Sequence, residues 1–511
     1  MGKLEKIASK FFIGGGILSL VWVISISLFF PKMHRILSNV RTINGIYFIS
    51  LLNIVCAIVA ILLLKFLKKI YLEKNIKKLN LILLIELFFY FVFLLFLTKY
   101  YGISSATDDA GIVLSNANYV LNTGKVSGWY MVSNPQNLFL MYFYLLINKI
   151  LGSMSYNIIF VVFASLSVAT AFLLYKSMIL LTKDKKIAFI GMQLYIFCFQ
   201  ISLHVTNVYT DTLSIFLISL GVYCYLRTRK QDRKYMDLVG VLFTSALFAV
   251  GFLSKGTTLV LIIAFCLELL IFQNKWNKMK VFIPIFSFLI IQLSWNMFID
   301  SQEIYDTDKV GMPNTHYIFM GLNSGQPDNS TIKERRYILN GTWNQGDLNT
   351  SKGLFFEKNL SKDDISHEHF KMIKERLSNF TVVSGFEFLN SKIATSWSSG
   401  DLKSTFSISK SGENTEKANE LNNSYFVYML MQTLQFLYYF VALYVFVQTF
   451  RNKISIDSIT LLTALFTVGM FLFLLLWEAS PRYIISLIPF YIILFSRFLK
   501  DVKLNELGEK S

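Results

Sequence analysis

The sequence predicts an all-α protein that crosses a membrane about twelve times. Of the 511 residues, 54% are hydrophobic and only 16% are charged, an apolar content well above that of soluble domains. The mean hydropathy is +0.51. The apolar residues come in runs of roughly 17 to 25, the length at which a helix crosses a hydrocarbon layer about 30 Å thick. These observations exclude an ordinary soluble enzyme.

The apolar runs define the predicted spans in chain order. The first follows Lys3, Lys6 and Lys10 and has no small-residue cleavage pattern before Pro31, so we expect an uncleaved anchor rather than a signal peptide. The predicted spans cover residues 11–30, 45–64, 79–98, 156–175, 187–204, 208–226, 236–254, 257–273, 281–298, 425–449, 457–477 and 482–499.

Basic residues in the short connections predict the orientation. Lys and Arg beside a membrane helix tend to stay in the cytoplasm, and here they concentrate in alternate connections and in the C-terminal tail. We therefore expect a multi-pass plasma membrane protein with both termini cytoplasmic. The excess of 49 Lys and Arg over 32 Asp and Glu is then explained by basic cytoplasmic loops, and we expect no nucleic-acid partner. The basic connections are residues 65–78, 176–186, 227–234, 275–280 and 451–453, and the tail carries Arg497, Lys500 and Lys503.

Two connections are much longer than the others, and the parity of the predicted helices places both outside the cytoplasm. In the first, residues 137–151 form an apolar stretch too short to span, so we expect a helix lying in the outer interface. The second contains Trp343 and Trp397 and is long enough for a small folded domain. The predicted organisation is residues 1–98 with helices 1–3, 99–155 as the first outer loop, 156–298 with helices 4–9, 299–424 as the outer domain, and 425–511 with helices 10–12 and the tail.

Charged residues near the ends of the spans are the candidate functional residues, because charge in a membrane is costly and tends to be kept for function. All of them are predicted on the outer side. Each also has a structural alternative: solvated loop acids, a helix N-cap, a snorkelling anchor, or an ion pair between residues four apart. The candidates are Asp108 and Asp109 after the third span, Asp211 at the start of the sixth, Lys255 between the seventh and eighth, and Glu478, Arg482 and Tyr483 before the last.

Other catalytic or binding motifs are weak in this sequence. His367, Glu368 and His369 have a spacing that could bind zinc, but no Cys or third His lies near them in the sequence, so we predict no metal site there. The four cysteines lie in or beside apolar runs and indicate neither disulfides nor a metal site. The sequence has no P-loop, no dinucleotide fingerprint and no Gly-x-Ser-x-Gly turn. The energy for a reaction must therefore come with the substrate.

An outward-facing site without nucleotide machinery needs a donor that is available on that side, and a sugar linked to a lipid phosphate meets this condition. A carboxylate would take the proton of an acceptor hydroxyl as it attacks the anomeric carbon. Cations would stabilise the departing phosphate, for which the donors of an arginine are well suited. A single displacement of this kind inverts the anomeric centre and needs one base.

The sequence resembles the GT-C superfamily of integral membrane glycosyltransferases, which use polyprenyl-phosphate sugars and include the protein O-mannosyltransferase and aminoarabinose transferase branches. The resemblance covers about 99–298 and 425–499. It rests on the acidic pair followed by a helix and Gly124, on the segments at Tyr209–Asp211 and Lys255–Thr257, and on the ending from Glu478 to Tyr483. Many relatives have Asp-Glu where this chain has Asp-Asp, so which carboxylate is the base and whether a divalent metal assists are left open; no cofactor is predicted to be required.

The resemblance implies an inverting transferase with Asp109, or its neighbour Asp108, as base. Lys255 and Arg482 would hold the phosphate, and Asp211 and Glu478 would position the sugar or those cations. The acceptor is left open among a cell-wall or surface polymer, a glycolipid and a protein hydroxyl, and composition gives a weak indication of a low-GC bacterium and wall glycosylation. The alternatives are a flippase or transporter for a lipid-linked saccharide, a polysaccharide polymerase or ligase, and a structural or receptor-like role.

Overall fold

A computed structural model describes residues 2–32, 37, 43–73, 79–229, 234–272, 275–307, 309–324, 340–411 and 415–508. Within these ranges the secondary structure is helical and contains no β-strand. The protein is thus an all-α membrane protein, as its sequence predicts. The helices before the second long connection are α1 (Lys3–Phe29), α2 (Ile43–Glu73), α3 (Leu79–Tyr100), α4 (Asp108–Thr123), α5 (Gly128–Ser133), α6 (Leu138–Leu151), α7 (Tyr156–Thr182), α8 (Lys185–Ile196), α9 (Phe199–Thr206), α10 (Thr210–Arg229), α11 (Lys234–Ser254), α12 (Thr258–Phe272) and α13 (Phe282–Ser301).

The rest of the chain adds short helices and then three long ones. The short helices are α14 (Thr315–Gly321), α15 (Gln345–Lys352), α16 (Lys362–Ser378), α17 (Val382–Trp397), α18 (Ser404–Ser411) and α19 (Thr415–Asn423). The long helices are α20 (Tyr425–Phe450), α21 (Ser458–Leu476) and α22 (Ile488–Gly508), the last preceded by a 3-10 turn at Pro481–Leu487.

Each predicted span coincides with a helical segment, but the count of twelve is not confirmed. Among the described residues, nine helices are long and apolar enough to cross a membrane, or ten if the α8–α9 pair, bent by 54°, is one broken span. The two other predicted spans fall short for different reasons. Helix α12 has only 15 residues, and α10 carries Asp211, Arg227 and Arg229 at its ends, which lowers its hydropathy.

The last three long helices form the centre of the bundle. The apolar stretch at Pro481–Asp501 is 83% buried, whereas that at Lys278–Ser301 is 17% buried, so α13 lies at the periphery. Helix α10 packs along α7 and α11, and α12 packs against α21. The core is therefore made by the C-terminal helices, with α1, α2 and α7–α12 packed around them.

The two long connections meet at one end of the bundle. The Val126 amide donates to the carbonyl of Ile304 over 2.9 Å, and the Gly311 amide donates to the carbonyl of Val132 over 2.7 Å. The helix predicted in residues 137–151 is present as α6 and packs against α4. We call this end of the molecule the loop end.

Part of the second connection enters the helix bundle instead of resting on it. We call residues 392–405 the inserted segment; those from Lys392 to Leu402 are all buried. Side chains of α20 satisfy its backbone, because Gln435 Nε2 donates to the carbonyl of Trp397 over 2.8 Å and the Gly400 amide donates to Gln432 Oε1 over 2.8 Å. Only glycine fits at residue 400, where a Cβ would lie 2.7 Å from the Cα of Gln432. Irregular backbone at this depth depends on such partners.

Candidate active site

The first acidic pair begins a helix at the loop end. Asp108 and Asp109 form the first turn of α4, where the helix dipole favours negative charge. The helix ends at Gly124, whose φ of +73° is the left-handed conformation that glycine adopts readily. The side chain of Asp109 is 44% exposed. Asp109 is therefore a carboxylate held on a rigid helix but open to a reactant.

Arg482 approaches this carboxylate from the other end of the chain. Its Nη2 lies 4.0 Å from Asp109 Oδ2, and its guanidinium lies over the ring of Tyr209 at 5.2 Å. The arginine side chain is 22% exposed. The 3-10 turn that begins at Pro481 fixes its backbone. The structure thus brings together the first long loop and the last interhelical link, as a shared site requires.

Asp211 and Lys255 form an ion pair behind the arginine. Lys255 Nζ contacts Asp211 Oδ1 and also donates to the backbone carbonyl of Arg482 over 3.3 Å. Both side chains are buried, with Asp211 1% and Lys255 8% exposed. Burial lowers the pKa of the Lys255 ammonium, and the Asp211 carboxylate opposes that shift. Because Lys255 is engaged by Asp211, we expect it to act on a bound phosphate through Arg482 rather than by direct contact.

A hydrogen-bonded wall of three residues lies beside Asp109. Tyr130 accepts from Asn137 Nδ2 over 3.0 Å, and Tyr209 donates to Asn137 Oδ1 over 2.9 Å. Burial, followed by the nearby Tyr209 and Asp109, raises the pKa of Tyr130 well above its usual value. The sequence analysis quoted the segments containing Asn137 and Tyr209 but gave these residues no role, since single polar residues in loops carry no distinctive pattern.

Glu478 lies half-buried in the link between α21 and the last span. Burial raises the pKa of its carboxyl, and the charges of Lys403 and then Arg482 oppose that shift. Lys392 lies behind this link, where its Nζ donates to the carbonyls of Trp477 over 2.8 Å and Gly321. Burial lowers the pKa of Lys392 to about 7. Sequence analysis missed Lys392 and Lys403 because both lie in a domain without a recognisable motif.

Several buried polar atoms around this cluster have no hydrogen-bond partner among the described residues. They are His204 Nδ1, Asp211 Oδ2, Thr257 Oγ1 and Ser480 Oγ. Buried polar groups are nearly always satisfied in folded proteins, so these four atoms call for partners. A polar ligand or water molecules at the loop end would supply them.

The backbone near the site is strained at several non-glycine residues. Positive φ values occur at Asp108 (49°), Val208 (47°), Leu402 (52°) and Lys403 (64°). The left-handed conformation is unfavourable for residues with a Cβ, above all for β-branched valine. Strain of this type persists where the surrounding fold enforces it and tends to cluster at functional sites.

Of the remaining candidates, Tyr483 contacts the cations of the site. Tyr483 lies beneath the cations, its ring 5.8 Å from Lys255 Nζ. Trp343 is 53% exposed, whereas Trp397 is 1% exposed and cannot offer a stacking face to a sugar. His369 is buried, with Nδ1 paired to Thr315 and Nε2 to Ser351, each at 3.0 Å. No cluster of three or more potential His, Cys, Asp or Glu ligands occurs within the described ranges.

The comparisons with known proteins give a family and a distant structural likeness. No curated protein sequence matches the chain. Among solved structures, the chain resembles the archaeal oligosaccharyltransferase AglB from Archaeoglobus fulgidus, solved with an inhibitory peptide and a dolichol-phosphate, at 13% identity and a TM-score of 0.37. The match covers 80% of this chain but only 47% of that one. A likeness this distant carries no functional argument.

The family comparison covers nearly the whole chain. The model of the family described as "Conserved hypothetical integral membrane protein" matches residues 4–502, which include all the membrane helices, both long connections and every candidate site residue described above. The chain therefore belongs to this family of integral membrane proteins.

Proposed function

We propose that this protein is an inverting glycosyltransferase of the GT-C type that moves a sugar from a polyprenyl-phosphate donor to an acceptor outside the cytoplasm. The observation that carries the proposal is the Asp109–Arg482 pair, a half-exposed carboxylate 4.0 Å from a partly exposed guanidinium at the loop end. One group is suited to accept a proton and the other to bind a phosphate. Four buried polar atoms without partners lie in the same part of the molecule, on His204, Asp211, Thr257 and Ser480.

In the proposed reaction, Asp109 takes the proton of the acceptor hydroxyl while that oxygen attacks the anomeric carbon. The bond from this carbon to the phosphate oxygen breaks at the same time, and the lipid phosphate leaves with the electron pair. Arg482 stabilises the charge that develops on the leaving phosphate. The Asp211–Lys255 pair holds Arg482 from behind.

Asp109 is the preferred base over Asp108 because of its position. Its carboxylate faces Arg482 and is 44% exposed. Asp108 has a left-handed backbone conformation and one carboxylate oxygen buried from solvent. We propose that Asp108 helps to shape the start of α4 and that the residues of the second connection recognise the acceptor, with a wall polymer, a glycolipid and a protein hydroxyl as the candidate classes.

The test is sugar transfer in membranes that carry the wild-type chain. A panel of radiolabelled polyprenyl-phosphate sugars would be supplied with and without a metal chelator, and label entering a hydrophilic or protein fraction would be counted. We expect transfer with the wild type and its loss with Asp109→Asn. Glu5→Gln, which changes a carboxylate at the start of α1 that pairs with Lys278, is the control and should transfer normally.

Three outcomes would overturn the proposal. Transfer that is indifferent to Asp109 and Asp108 would remove the base from the mechanism. Translocation of an intact lipid-linked saccharide without transfer would favour the flippase alternative, and extension of a long glycan on the lipid itself would favour a polymerase or ligase. Loss of transfer upon chelation would add a metal ion to the site without changing the role of Asp109.

A further inference from the structure

Tyr317 lies in the short helix α14 of the second long connection, and its hydroxyl contacts the first long connection. The hydroxyl accepts a hydrogen bond from Gln136 Nε2 over 2.8 Å and donates to Asn134 Oδ1 over 3.3 Å. Both partners stand just before Asn137, which belongs to the wall beside Asp109. The polar end of Tyr317 is therefore bound to the segment that leads into this wall.

The ring of the same tyrosine contacts the last interhelical link. It stacks on the indole of Trp477, with the ring centroids 5.0 Å apart and the planes inclined by 16°. Phe473 of α21 stacks on that indole as well, at 5.1 Å, and the carbonyl of Trp477 accepts from Lys392 Nζ over 2.8 Å. Trp477 begins the link that carries Arg482. The Tyr317 side chain thus joins the two segments that meet at the candidate active site.

Helix α14 is itself held in place. Beside Tyr317, His316 Nδ1 pairs with Ser351 Oγ of α15 at 2.7 Å. At the C-terminal end of the helix, the backbone of Gly321 lies so close to the link that a Cβ there would be 2.6 Å from the carbonyl oxygen of Trp477. This close approach requires glycine. The position of Tyr317 is therefore set by the packing of α14 against both α15 and the link.

We propose that Tyr317 is a positioning residue that sets the place of Asp109 relative to Arg482. The inference rests on the proposed function, in which both groups act in one reaction. Asn137 leads directly into α6, and α6 packs against α4, whose first turn carries Asp109. A shift of the first connection would therefore move the carboxylate, and a misplacement of about 1 Å is enough to lower a rate about 100-fold.

Arg482 does not depend on Tyr317 in the same way. Its backbone carbonyl accepts from Lys255 Nζ over 3.3 Å, and its guanidinium lies over the ring of Tyr209 at 5.2 Å. The group proposed to bind phosphate therefore keeps these supports when Tyr317 is changed. The expected pattern is a loss of sugar transfer with retained binding of a lipid phosphate. A purely structural role of Tyr317 would lower transfer and binding together.

The experiment compares two substitutions of Tyr317 in the full-length protein. Tyr317→Phe removes both hydrogen bonds but keeps the ring, and we expect sugar transfer to fall roughly tenfold. Tyr317→Leu also removes the stack on Trp477, and transfer should fall about 100-fold. Binding of radiolabelled farnesyl phosphate in detergent should stay close to that of the wild type in both variants. Tyr223→Phe, which removes a hydroxyl beside Arg227 in α10, is the matched control and should behave like the wild type.

Hydrogen exchange tests the connection between the two segments without any substrate. In Tyr317→Phe, we expect faster exchange in residues 134–138 alone, because the stack on Trp477 remains. In Tyr317→Leu, exchange should become faster in residues 477–482 as well. Unchanged exchange in both segments of both variants would overturn the inference, as would parallel losses of farnesyl phosphate binding and transfer. A wild type that never transfers sugar would overturn the proposed function, and the exchange data would still decide whether Tyr317 joins the two segments.

Discussion

Helices α10 and α12 carry an ion pair at each end of the bundle, and the two pairs differ in how completely they are satisfied. At the loop end, Asp211 of α10 is paired with Lys255, which precedes α12. At the opposite end, Glu268 of α12 is paired with Arg229 of α10 over 3.3 Å. Both carboxylates are almost fully buried, at 1% and 0% exposure.

The difference lies in the second oxygen of each carboxylate. Glu268 Oε2 accepts from Tyr225 over 2.6 Å, and Oε1 accepts from Ser458 as well as from Arg229. Asp211 Oδ2 has no hydrogen-bond partner among the described residues. A buried carboxylate bonded through both oxygens holds helices together, whereas one that keeps an open acceptor beside a partly exposed arginine is suited to bind something else. Burial and charge alone would not have distinguished the two clusters.

The largest expected effect tests the cluster at the loop end, in which Asp211 Oδ2 has no hydrogen-bond partner among the described residues. Asp109→Asn keeps the shape of the side chain but removes the base, and we expect sugar transfer to fall by about 10²- to 10⁴-fold. Thermal unfolding should be nearly unchanged because the carboxylate is half-exposed. A fall in activity that parallels a loss of folded protein would show that Asp109 is a structural residue. The clusters at the two ends of the bundle would then both be structural.

The next prediction tests the cluster around Glu268, in which both carboxylate oxygens have hydrogen-bond partners. Arg229→Leu leaves Glu268 buried without its cation, and removal of one partner from a buried pair costs about 3–5 kcal/mol of stability. The free energy of unfolding in detergent should fall by an amount in this range, while transfer per folded molecule stays the same. Arg227→Leu, which changes an exposed arginine two residues earlier in α10, is the control and should have little effect. Selective loss of transfer in folded Arg229→Leu protein would mean that the opposite end also serves function.

A third prediction separates stability from function at the loop end. Lys255→Met should lower both, because it leaves Asp211 unpaired and removes the group bound to the carbonyl of Arg482. The double variant Asp211→Leu/Lys255→Met replaces the whole pair with apolar side chains and should recover much of the stability, since such replacements are often neutral or stabilising. We expect no recovery of transfer. Recovery of both properties, measured by unfolding and by transfer side by side, would show that this pair is only a structural contact.

The smallest expected effect concerns a third buried cluster, in the second connection. His316 Nδ1 pairs with Ser351 at 2.7 Å, and Ser351 in turn pairs with His369, so this cluster is saturated like that of Glu268. Burial lowers the pKa of both histidines to about 4, with Asp347 opposing the shift in each. An unfolded chain would take up protons near pH 6.5, so the stability of this region should fall as the pH drops from 6.5 towards 4.

The measurement for this prediction is hydrogen exchange of α14–α16 as a function of pH. His316→Gln should flatten the pH dependence in that window, although it lowers stability at neutral pH. Exchange that is independent of pH down to 4 in the wild type would contradict the assignment of neutral, buried histidines.

The sequence located the helices well because the length of an apolar run is a local property. The prediction for residues 79–98 corresponds to α3 at Leu79–Tyr100, and that for 425–449 to α20 at Tyr425–Phe450. It did less well where length and composition conflict, as in the bent α8–α9 pair and the short α12. The insertion of residues 392–405 into the bundle was not predicted. Polar residues such as Ser399 and Asp401 indicate an exposed loop when only the sequence is known, because their hydrogen-bond partners are distant in the chain.

The sequence by itself determined that this chain is an all-α membrane protein and which charged residues stand near the ends of its helices. Tertiary structure alone decided which of those charges meet: Asp109 with Arg482, and Asp211 with Lys255. The reason is physical. Hydropathy and helix length depend on neighbouring residues in the chain, whereas the partner of a buried charge depends on packing between segments hundreds of residues apart.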